Sequence, residues 1–347
     1  MATAIFRVDG NATVGLGHLS RCIGLAEVLI IGGWEVKFFS SINNQGQRLL
    51  ESSSPDIELV SVDDSVDLEP IIERIVQGGP TFLVVDGYHL KQRSTWFDRF
   101  SEIAPLLIFD DDSDMVAYKA SVLVNQNVTG SYYDYTVNKG CVQLLGTDYF
   151  VFRNKILEVV DADYPECCES DRLKLLITMG GIDQTGVILK ILSALDCFDT
   201  QNIDVAIVGN VSTSGLRDSM EGKPGISVNS YQFSVDLSHY MKWADVAICS
   251  SGTTGFEMLL VGVPIIVVSV AENQVAIAKE LHRLGLAVYC GDADNIDADL
   301  LIHTIELLSN ECKRRRVVAS LSRNVTDGLG RERIVDVMEE IMFSYAS

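Results

Sequence analysis

The amino-acid sequence predicts an α/β protein with two similar halves, each a doubly wound parallel sheet. Short apolar runs recur along the chain, and such runs are typical of parallel strands that are buried on both faces. Turns rich in glycine or serine follow these runs, and long stretches with helical periodicity come next. The pattern stops once at a polar stretch and then restarts. The length of 347 residues fits about two domains.

The first half contains six predicted strands, separated by predicted helices. Residues 4–8 form the first strand, and a helix is predicted from about His18 to Ile31. The other predicted strands are residues 36–40, 57–60, 82–86, 106–110 and 122–125. Residues 82–86 read Phe-Leu-Val-Val-Asp, so an acidic residue directly follows the apolar run.

The second half begins after residues 161–172, a polar stretch that contains Pro165 and is predicted to be a linker. A helix is predicted from about Gln184, and the chain from Asp297 onward is predicted to be mostly helical. The predicted strands of this half are residues 173–179, 205–208, 246–250, 265–268 and 287–289. The predicted organisation is therefore an N-terminal Rossmann-like domain (1–160), a linker (161–172), a C-terminal Rossmann-like domain (173–330) and a C-terminal helix (331–347).

Ligands of open parallel sheets bind at the carboxyl ends of the strands. We therefore expect the two Rossmann-like domains to face each other across a cleft that holds the ligand.

The composition excludes several classes of function. Apolar residues make up 47% of the chain, which excludes a disordered protein. The net charge of −21 repels nucleic acid and anionic lipid, so we expect neither as a partner, and the sequence gives no signal of oligomeric state. The start lacks a secretory signal, and the eight cysteines include no C-x-x-C pair. These features predict a cytoplasmic protein with reduced thiols. The histidines and cysteines lack the spacing of zinc ligands.

The first candidate site is the glycine-rich turn after the first strand. It contains Arg7, Asp9 and Gly17, then His18 at the start of the predicted helix and Arg21 one turn later. A helix N-terminus disfavours a cationic imidazole, so His18 is expected to be neutral and able to accept a proton. The alternative is a histidine that only caps or fills the turn.

The second candidate site is the turn after residues 246–250. Small and hydroxylated residues allow a phosphate to approach the backbone, and N–H and O–H groups can donate to it. Glu257, about one turn into the following helix, could accept the hydroxyls of a ribose. The alternative is an ordinary strand–helix turn with hydroxyl caps. The candidate residues of this turn are Ser251, Gly252, Thr253, Thr254 and Glu257.

Two further turns in the second half are weaker candidates. Gly180 and Gly181 follow a strand and permit close approach of a ligand. Asn273 and Gln274 follow another strand, and their amides could hold sugar hydroxyls or phosphate oxygens, or could simply cap a helix.

Charged runs elsewhere allow other interpretations. Residues 110–114, Asp-Asp-Asp-Ser-Asp, could bind Mg²⁺ or Mn²⁺ as an Asp-x-Asp motif does, or could be a solvated strand end, which we favour. Residues 313–316 are interpreted as a solvated helix face. The sequence contains neither the nucleophile-elbow motif G-x-S-x-G nor a Walker motif. It also lacks the dinucleotide-binding motif G-x-G-x-x-G, which argues against an NAD enzyme.

Together these motifs resemble the PseG family, the UDP-sugar hydrolases of pseudaminic acid (nonulosonic acid) biosynthesis, whose GT-B fold is similar to that of the transferase MurG. The resemblance extends over nearly the whole chain. Its main segments are RVDGNATVGLGHLSRCIGLA (7–26), VVDGY (84–88), FDDD (109–112), LLGTDYFVFR (144–153), MGGID (179–183), ADVAICSSGTTGFE (244–257), ENQ (272–274) and DGLGRERIV (327–335).

The resemblance implies a specific reaction. Water would attack the anomeric carbon of UDP-2,4-diacetamido-2,4,6-trideoxy-β-L-altropyranose with inversion, UDP would leave, and His18 would be the general base. Tyr88 would line the sugar site, Asn273 would contact the sugar or phosphate, and Glu257 would contact the ribose. The resemblance implies no metal and no cofactor. Two alternatives are a GT-B glycosyltransferase with a UDP-sugar donor and a UDP-sugar-binding protein without turnover.

Overall fold

The computed structural model describes residues 1–11, 14–53, 56–62, 68–91, 94–160, 172–180, 186–195, 202–209, 225–232, 234–310 and 312–345. The chain forms two compact units. The first contains Met1–Asn154 together with Gly328–Ser347, and the second contains Lys155–Asp327. The predicted linker at 161–172 lies outside the described residues except for Arg172.

The first unit contains a seven-stranded sheet in which every described pair of neighbouring strands is parallel. The strand order is β3-β2-β1-β4-β5-β6-β7. The strands are β1 (Thr3–Val8), β2 (Glu35–Ser40), β3 (Ile57–Ser61), β4 (Thr81–Asp86), β5 (Leu106–Phe109), β6 (Val122–Asn125) and β7 (Val142–Leu145). The six predicted strands are thus confirmed, whereas β7 was not predicted. β7 lies at the sheet edge with Val142 and Gln143 exposed, so its sequence lacks the apolar run of a buried strand.

The helices of this unit are α1 (Gly17–Ile31), α2 (Asn44–Glu51), α3 (Glu69–Gly78), α4 (Tyr88–Lys91), α5 (Ser94–Ile103) and α6 (Asn154–Leu157), of which α6 continues into the second unit. One face of the sheet packs against α3 and α5 through buried apolar side chains, among them Ile5, Leu83, Ile108, Ile72 and Phe97. Helix α1 buries ten of its residues, including Leu19 and Leu25.

The last helix of the chain completes the first unit by packing against α1. Glu27 of α1 accepts hydrogen bonds from the backbone of Asn154 (2.6 Å) and from Arg331 Nη1 (3.2 Å). Gly24 is required in α1 because a Cβ there would lie 2.8 Å from the Phe152 carbonyl oxygen. These contacts hold residues 150–154 between the two helices.

The second unit contains a six-stranded parallel sheet of order β10-β9-β8-β11-β12-β13. Its strands are β8 (Leu173–Thr178), β9 (Ile203–Val208), β10 (Ile226–Tyr231), β11 (Val246–Cys249), β12 (Ile265–Ser269) and β13 (Ala287–Asp292). Strand β10 was not predicted, and it is again an edge strand, in which Ser227, Asn229, Ser230 and Tyr231 are exposed.

The described helices from here to the end of the chain are α7 (Val187–Leu195), α8 (Ser238–Trp243), α9 (Thr253–Val261), α10 (Glu272–Arg283), α11 (Ala298–Asn310), α12 (Cys312–Arg323) and α13 (Gly330–Tyr345). The last of these, α13, is the helix that packs against α1. Within the described ranges, no helix is both long and apolar enough to cross a bilayer.

Candidate functional site

The strand order of the first unit determines where a ligand can bind. The strand order has its switch point between β1 and β4. Strands β2 and β3 are added on one side of β1, whereas β5, β6 and β7 are added beyond β4 on the other side. In open parallel sheets the crevice for ligands lies beyond the carboxyl ends of the strands at this point. The turn after β1 carries His18, and β4 ends at Asp86, so both residues lie at the switch point.

The turn between β1 and α1 is tightly closed. The Gly15 backbone N–H donates to the Asn11 carbonyl (2.9 Å), and Val14 N–H donates to the Asn11 side chain (3.2 Å). Gly15 has a φ of +76°, a conformation that favours glycine. Gly17 is the first residue of α1 and is exposed, and His18 follows it in the first turn of the helix. The predicted position of His18 at the helix start is therefore confirmed.

His18 and Arg21 both contact the Asp86 carboxylate. His18 Nδ1 lies 2.7 Å from Asp86 Oδ1, and Arg21 donates from Nε to Oδ2 and from Nη2 to Oδ1, each at 2.6 Å. Only 11% of the His18 side chain is exposed, and the Asp86 side chain is fully buried. A planar guanidinium that donates two parallel hydrogen bonds holds a carboxylate in one orientation.

Arg21 also binds a second carboxylate, that of Asp111 just after β5. Nη1 donates to Asp111 Oδ1 at 2.8 Å and Nη2 to Oδ2 at 3.0 Å. The Tyr88 hydroxyl donates to Asp111 Oδ2 (3.0 Å), and Asn127 Nδ2 donates to Oδ1 (2.8 Å). Tyr88 also meets the His18 ring edge to face, with centroids 4.8 Å apart. The predicted residues His18, Arg21 and Tyr88 thus belong to one network.

The ion pairs of this network determine the protonation states of its charged side chains. Burial alone would raise the pKa of Asp86, but Arg21 and His18 outweigh that effect and hold the pKa well below its usual range. Burial also acts to raise the pKa of Asp111, and Arg21 again prevails, lowering it to about 2. Burial would lower the pKa of Arg21, yet Asp111 and Asp86 raise it overall. At neutral pH the network therefore contains two carboxylates and one guanidinium.

Arg7 and Asp9, also predicted as substrate-binding residues, are buried and paired with each other. Arg7 Nη2 donates to Asp9 Oδ2 (3.1 Å), and Asp9 Oδ1 accepts the backbone N–H of Ser41 (2.6 Å). The ion pair therefore connects the end of β1 to the loop after β2. A role for either residue in substrate binding stays a prediction.

In the second unit the strand order changes side between β8 and β11, and the turn predicted to bind phosphate follows β11. Gly252 precedes α9 in an extended conformation, and no side chain caps the helix at that position. Thr253 and Thr254 are its first two residues and are partly exposed. Gly255 must be small because a Cβ there would lie 2.8 Å from the Ser250 carbonyl oxygen. This is the geometry of a helix N-terminus that can receive an anion.

Ser251 and Gln274 connect this turn to the next one. The Ser251 hydroxyl donates to the Gln274 carbonyl (2.8 Å), and Gln274 Oε1 accepts the backbone N–H of Val270 (3.1 Å). Asn273, at the second position of α10, is exposed. Glu257 is buried within α9, with 4% of its surface exposed. The contacts of these residues with phosphate, sugar or ribose stay predictions.

The glycine pair after β8 is only partly described. Gly180 has a φ of +79°, which favours glycine, whereas Gly181 lies outside the described residues.

The acidic run after β5 was predicted to be a solvated strand end, and this prediction is wrong for its first residue, Asp110. Asp110 is 1% exposed, and it accepts hydrogen bonds from the hydroxyls of Tyr118 (2.8 Å) and Tyr135 (3.0 Å) and from the backbone of Asp112 and Ser113. Carboxylate oxygens of Asp110, Asp112 and Asp114 lie within 4.8 Å of one another. The hydrogen bonds that Asp110 accepts account for its position, and we assign this cluster no ligand.

Three residues of the network were not predicted as site residues: Asp86, Asp111 and Asn127. Asp86 ends β4, and Asp111 and Asn127 follow β5 and β6 by two residues each. A polar residue at the end of a buried apolar strand, or within two positions of it, is the signal that could have identified them, because the carboxyl ends of adjacent parallel strands share one edge of the sheet.

The second unit matches a known protein family. Residues 156–327 match the family described as "Glycosyltransferase family 28 C-terminal domain". The matched range coincides with the second unit except at Lys155.

Curated relatives are distant. The chain is 24% identical to the spore coat polysaccharide biosynthesis protein SpsG of Bacillus subtilis, over 98% of each chain. It is 21% identical to a Helicobacter pylori protein named "Pseudaminic acid cytidylyltransferase and UDP-2,4-diacetamido-2,4,6-trideoxy-beta-L-altropyranose hydrolase". That match covers 80% of this chain but only 46% of the relative, so the chain spans about half of that protein's length.

Solved structures share the fold. MurG of Acinetobacter baumannii aligns with a TM-score of 0.66 at 16% identity, over 98% of this chain and 99% of that one. The calicheamicin glycosyltransferase CalG4 aligns with a TM-score of 0.61 at 14% identity, over 97% of both chains. The chain therefore has the predicted GT-B fold, made of two parallel-sheet α/β domains, and its second unit matches a glycosyltransferase domain.

Proposed function

We propose that this protein hydrolyses a UDP-linked diacetamido-trideoxy sugar, UDP-2,4-diacetamido-2,4,6-trideoxy-β-L-altrose, to UDP and the free sugar, as a step of pseudaminic acid biosynthesis. His18 accepts a proton from the attacking water, and attack at the anomeric carbon inverts its configuration. The Helicobacter pylori relative, whose name includes this hydrolase activity, supports the choice of substrate. No metal ion or cofactor takes part in the proposed reaction.

The observation that carries the proposal is the environment of His18. Its ring lies beside the Asp86 carboxylate at the switch point of a parallel sheet, with Tyr88 against the ring. A histidine held by an ionised carboxylate can serve as a general base. Because only 11% of its side chain is exposed, a nucleophile as small as water suits it better than a bulky acceptor.

The second unit supplies the proposed nucleotide site. The backbone N–H groups at the start of α9 would bind the diphosphate, and the dipole of the helix would stabilise the charge that develops on it. UDP is a good leaving group, so stabilisation of its charge and orientation of one water are the main catalytic requirements. Ser251, Thr253 and Thr254 would donate to the phosphates.

The direct test is incubation with the proposed UDP-sugar and no acceptor, with and without EDTA. We expect UDP and free sugar to be released to the same extent with EDTA as without it. His18→Ala should abolish turnover and retain UDP binding, whereas His303→Ala, an exposed substitution on α11, should leave turnover unchanged. Undiminished turnover in His18→Ala would contradict the role of His18 as the base.

A second candidate function is transfer of the sugar to a hydroxyl acceptor. The match of the second unit to a glycosyltransferase domain favours it. It predicts that UDP is released only when an acceptor is present. If UDP binds but no UDP-sugar turns over under either condition, the protein is a UDP-sugar-binding protein without turnover.

A further inference from the structure

We infer that Asp86 and Arg21 are positioning residues for His18, and that together they determine which of its ring nitrogens carries the proton. The inference deepens the proposed function, since it concerns the same histidine. Asp86 comes from the end of β4 and Arg21 from α1, so the trio forms only when the sheet and the helix are assembled.

The assignment follows from the hydrogens that Arg21 has available. Nη2 carries two hydrogens, and it donates one to Asp86 Oδ1 (2.6 Å) and the other to Asp111 Oδ2 (3.0 Å). Nη2 also lies 3.0 Å from His18 Nδ1, but it has no hydrogen left to donate to that nitrogen.

Nδ1 must therefore carry its own hydrogen. Its other neighbour is Asp86 Oδ1 at 2.7 Å, and an ionised carboxylate can only accept. Two acceptors at that distance would repel each other, whereas Nδ1–H donating to Oδ1 is a normal hydrogen bond. The neutral imidazole then has its lone pair on Nε2, and within the described part of the chain no group donates to Nε2. Nε2 is the atom that takes the proton from water.

Arg21 keeps Asp86 in the ionised, acceptor-only state. It holds both carboxylate oxygens, so the carboxylate cannot rotate away from the ring. The pKa of Asp86 is lowered accordingly. When Nε2 accepts a proton, the resulting imidazolium stays paired with a full negative charge, and the proton remains on His18 rather than passing to Asp86.

The tautomer can be measured without any substrate. We would label the protein with ¹⁵N-histidine, record long-range ¹H–¹⁵N spectra at a pH where His18 is neutral, and assign His18 with His18→Gln. The expected wild-type pattern is a protonated Nδ1 and an unprotonated Nε2. In Asp86→Asn the amide oxygen accepts from Arg21 and its N–H₂ faces Nδ1, so the pattern should reverse.

Asp111→Asn is the matched control. It removes a carboxylate from the same guanidinium, but Asp111 makes no hydrogen bond to His18 and the Asp86 carboxylate stays in place to accept from Nδ1, so the tautomer should not change. In Asp86→Asn, kcat for the UDP-sugar should fall by roughly 10²- to 10⁴-fold while the Kd for UDP stays within about threefold. A purely structural role of Asp86 would lower UDP binding and kcat together and would leave the tautomer unchanged.

The outcomes separate this inference from the proposed function. A wild-type spectrum with Nε2 protonated would overturn the inference, and this measurement does not depend on whether Asp86→Asn folds. An unaltered tautomer in a folded Asp86→Asn variant would overturn it as well. If the tautomer reverses as expected but no UDP-sugar is hydrolysed, the positioning role stands and the proposed hydrolase function fails.

Discussion

Arg21 binds Asp111 through two parallel hydrogen bonds, at 2.8 Å and 3.0 Å, although 90 positions separate the two residues. The same guanidinium holds Asp86, and it lies over the ring of Phe109 at 4.8 Å from the ring centre. One cation therefore compensates two carboxylates at the carboxyl end of the sheet. The side chain of Arg21 thus both pairs with buried carboxylates of the first unit and holds the carboxylate that contacts His18.

Replacing Arg21 should destabilise the first unit strongly. Arg21→Met leaves two buried carboxylates without their cation, which typically costs about 3–5 kcal/mol. Arg99→Gln is the control, because Arg99 pairs with Glu69 and Glu73 at the surface and is 51% exposed. Such exposed pairs contribute about 0–1 kcal/mol. Urea denaturation of the three proteins measures both values, and equal losses in the two variants would contradict the prediction.

The low pKa of Asp111 predicts a pH dependence of stability. A carboxyl whose folded-state pKa is lowered from 3.8 to about 2 stabilises the folded protein above pH 4, and the effect is lost as the pH falls toward 2. The full contribution is about 2 kcal/mol. Wild type should therefore exceed Asp111→Asn in unfolding free energy at pH 7, and the difference should shrink toward pH 3. A difference that is constant from pH 7 to pH 3 would exclude this explanation.

Gly24 should not tolerate a side chain. A Cβ there would lie 2.8 Å from the Phe152 carbonyl oxygen and 2.9 Å from Val151 Cγ1, so Gly24→Ala should push α1 away from residues 150–154. We expect a loss of about 1–3 kcal/mol. Gly78→Ala in α3 is the matched control, because a Cβ at Gly78 meets no atom within 4 Å. It should be neutral or stabilising by up to about 1 kcal/mol. Thermal unfolding of both variants provides the comparison.

A charge at Gly252 should separate UDP binding from folding. A Cβ at this position makes only ordinary contacts, the nearest with Gln274 Nε2 at 3.6 Å, so the fold should accept a side chain. Aspartate caps a helix at least as well as glycine, so Gly252→Asp should change stability by no more than a few tenths of a kcal/mol. Its carboxylate should repel the diphosphate and weaken UDP binding roughly tenfold or more.

Gly252→Asn is the neutral control of the same shape, and calorimetric titration with UDP compares the two variants. If Asn and Asp weaken UDP binding equally, steric obstruction rather than charge is responsible. If neither variant weakens it, the N-terminus of α9 does not bind the diphosphate.

The sequence by itself determined the fold class and the position of His18. Buried parallel strands need apolar side chains on both faces, so β1, β4 and β6 are visible as apolar runs, and the glycines after β1 mark the turn into α1. The edge strands β7 and β10 were missed because exposed residues interrupt their apolar pattern.

Only the tertiary structure decided which polar side chains meet. Asp86, Asp111 and Asn127 lie at the ends of three different strands or just after them. Nothing local in the sequence indicates that Arg21 binds both carboxylates, or that Asn127 donates to Asp111. The order of parallel strands places those segments side by side, and strand order depends on crossover connections between distant parts of the chain. The sequence could therefore identify His18 as a candidate base, while the carboxylate that orients it became apparent only from the assembled sheet.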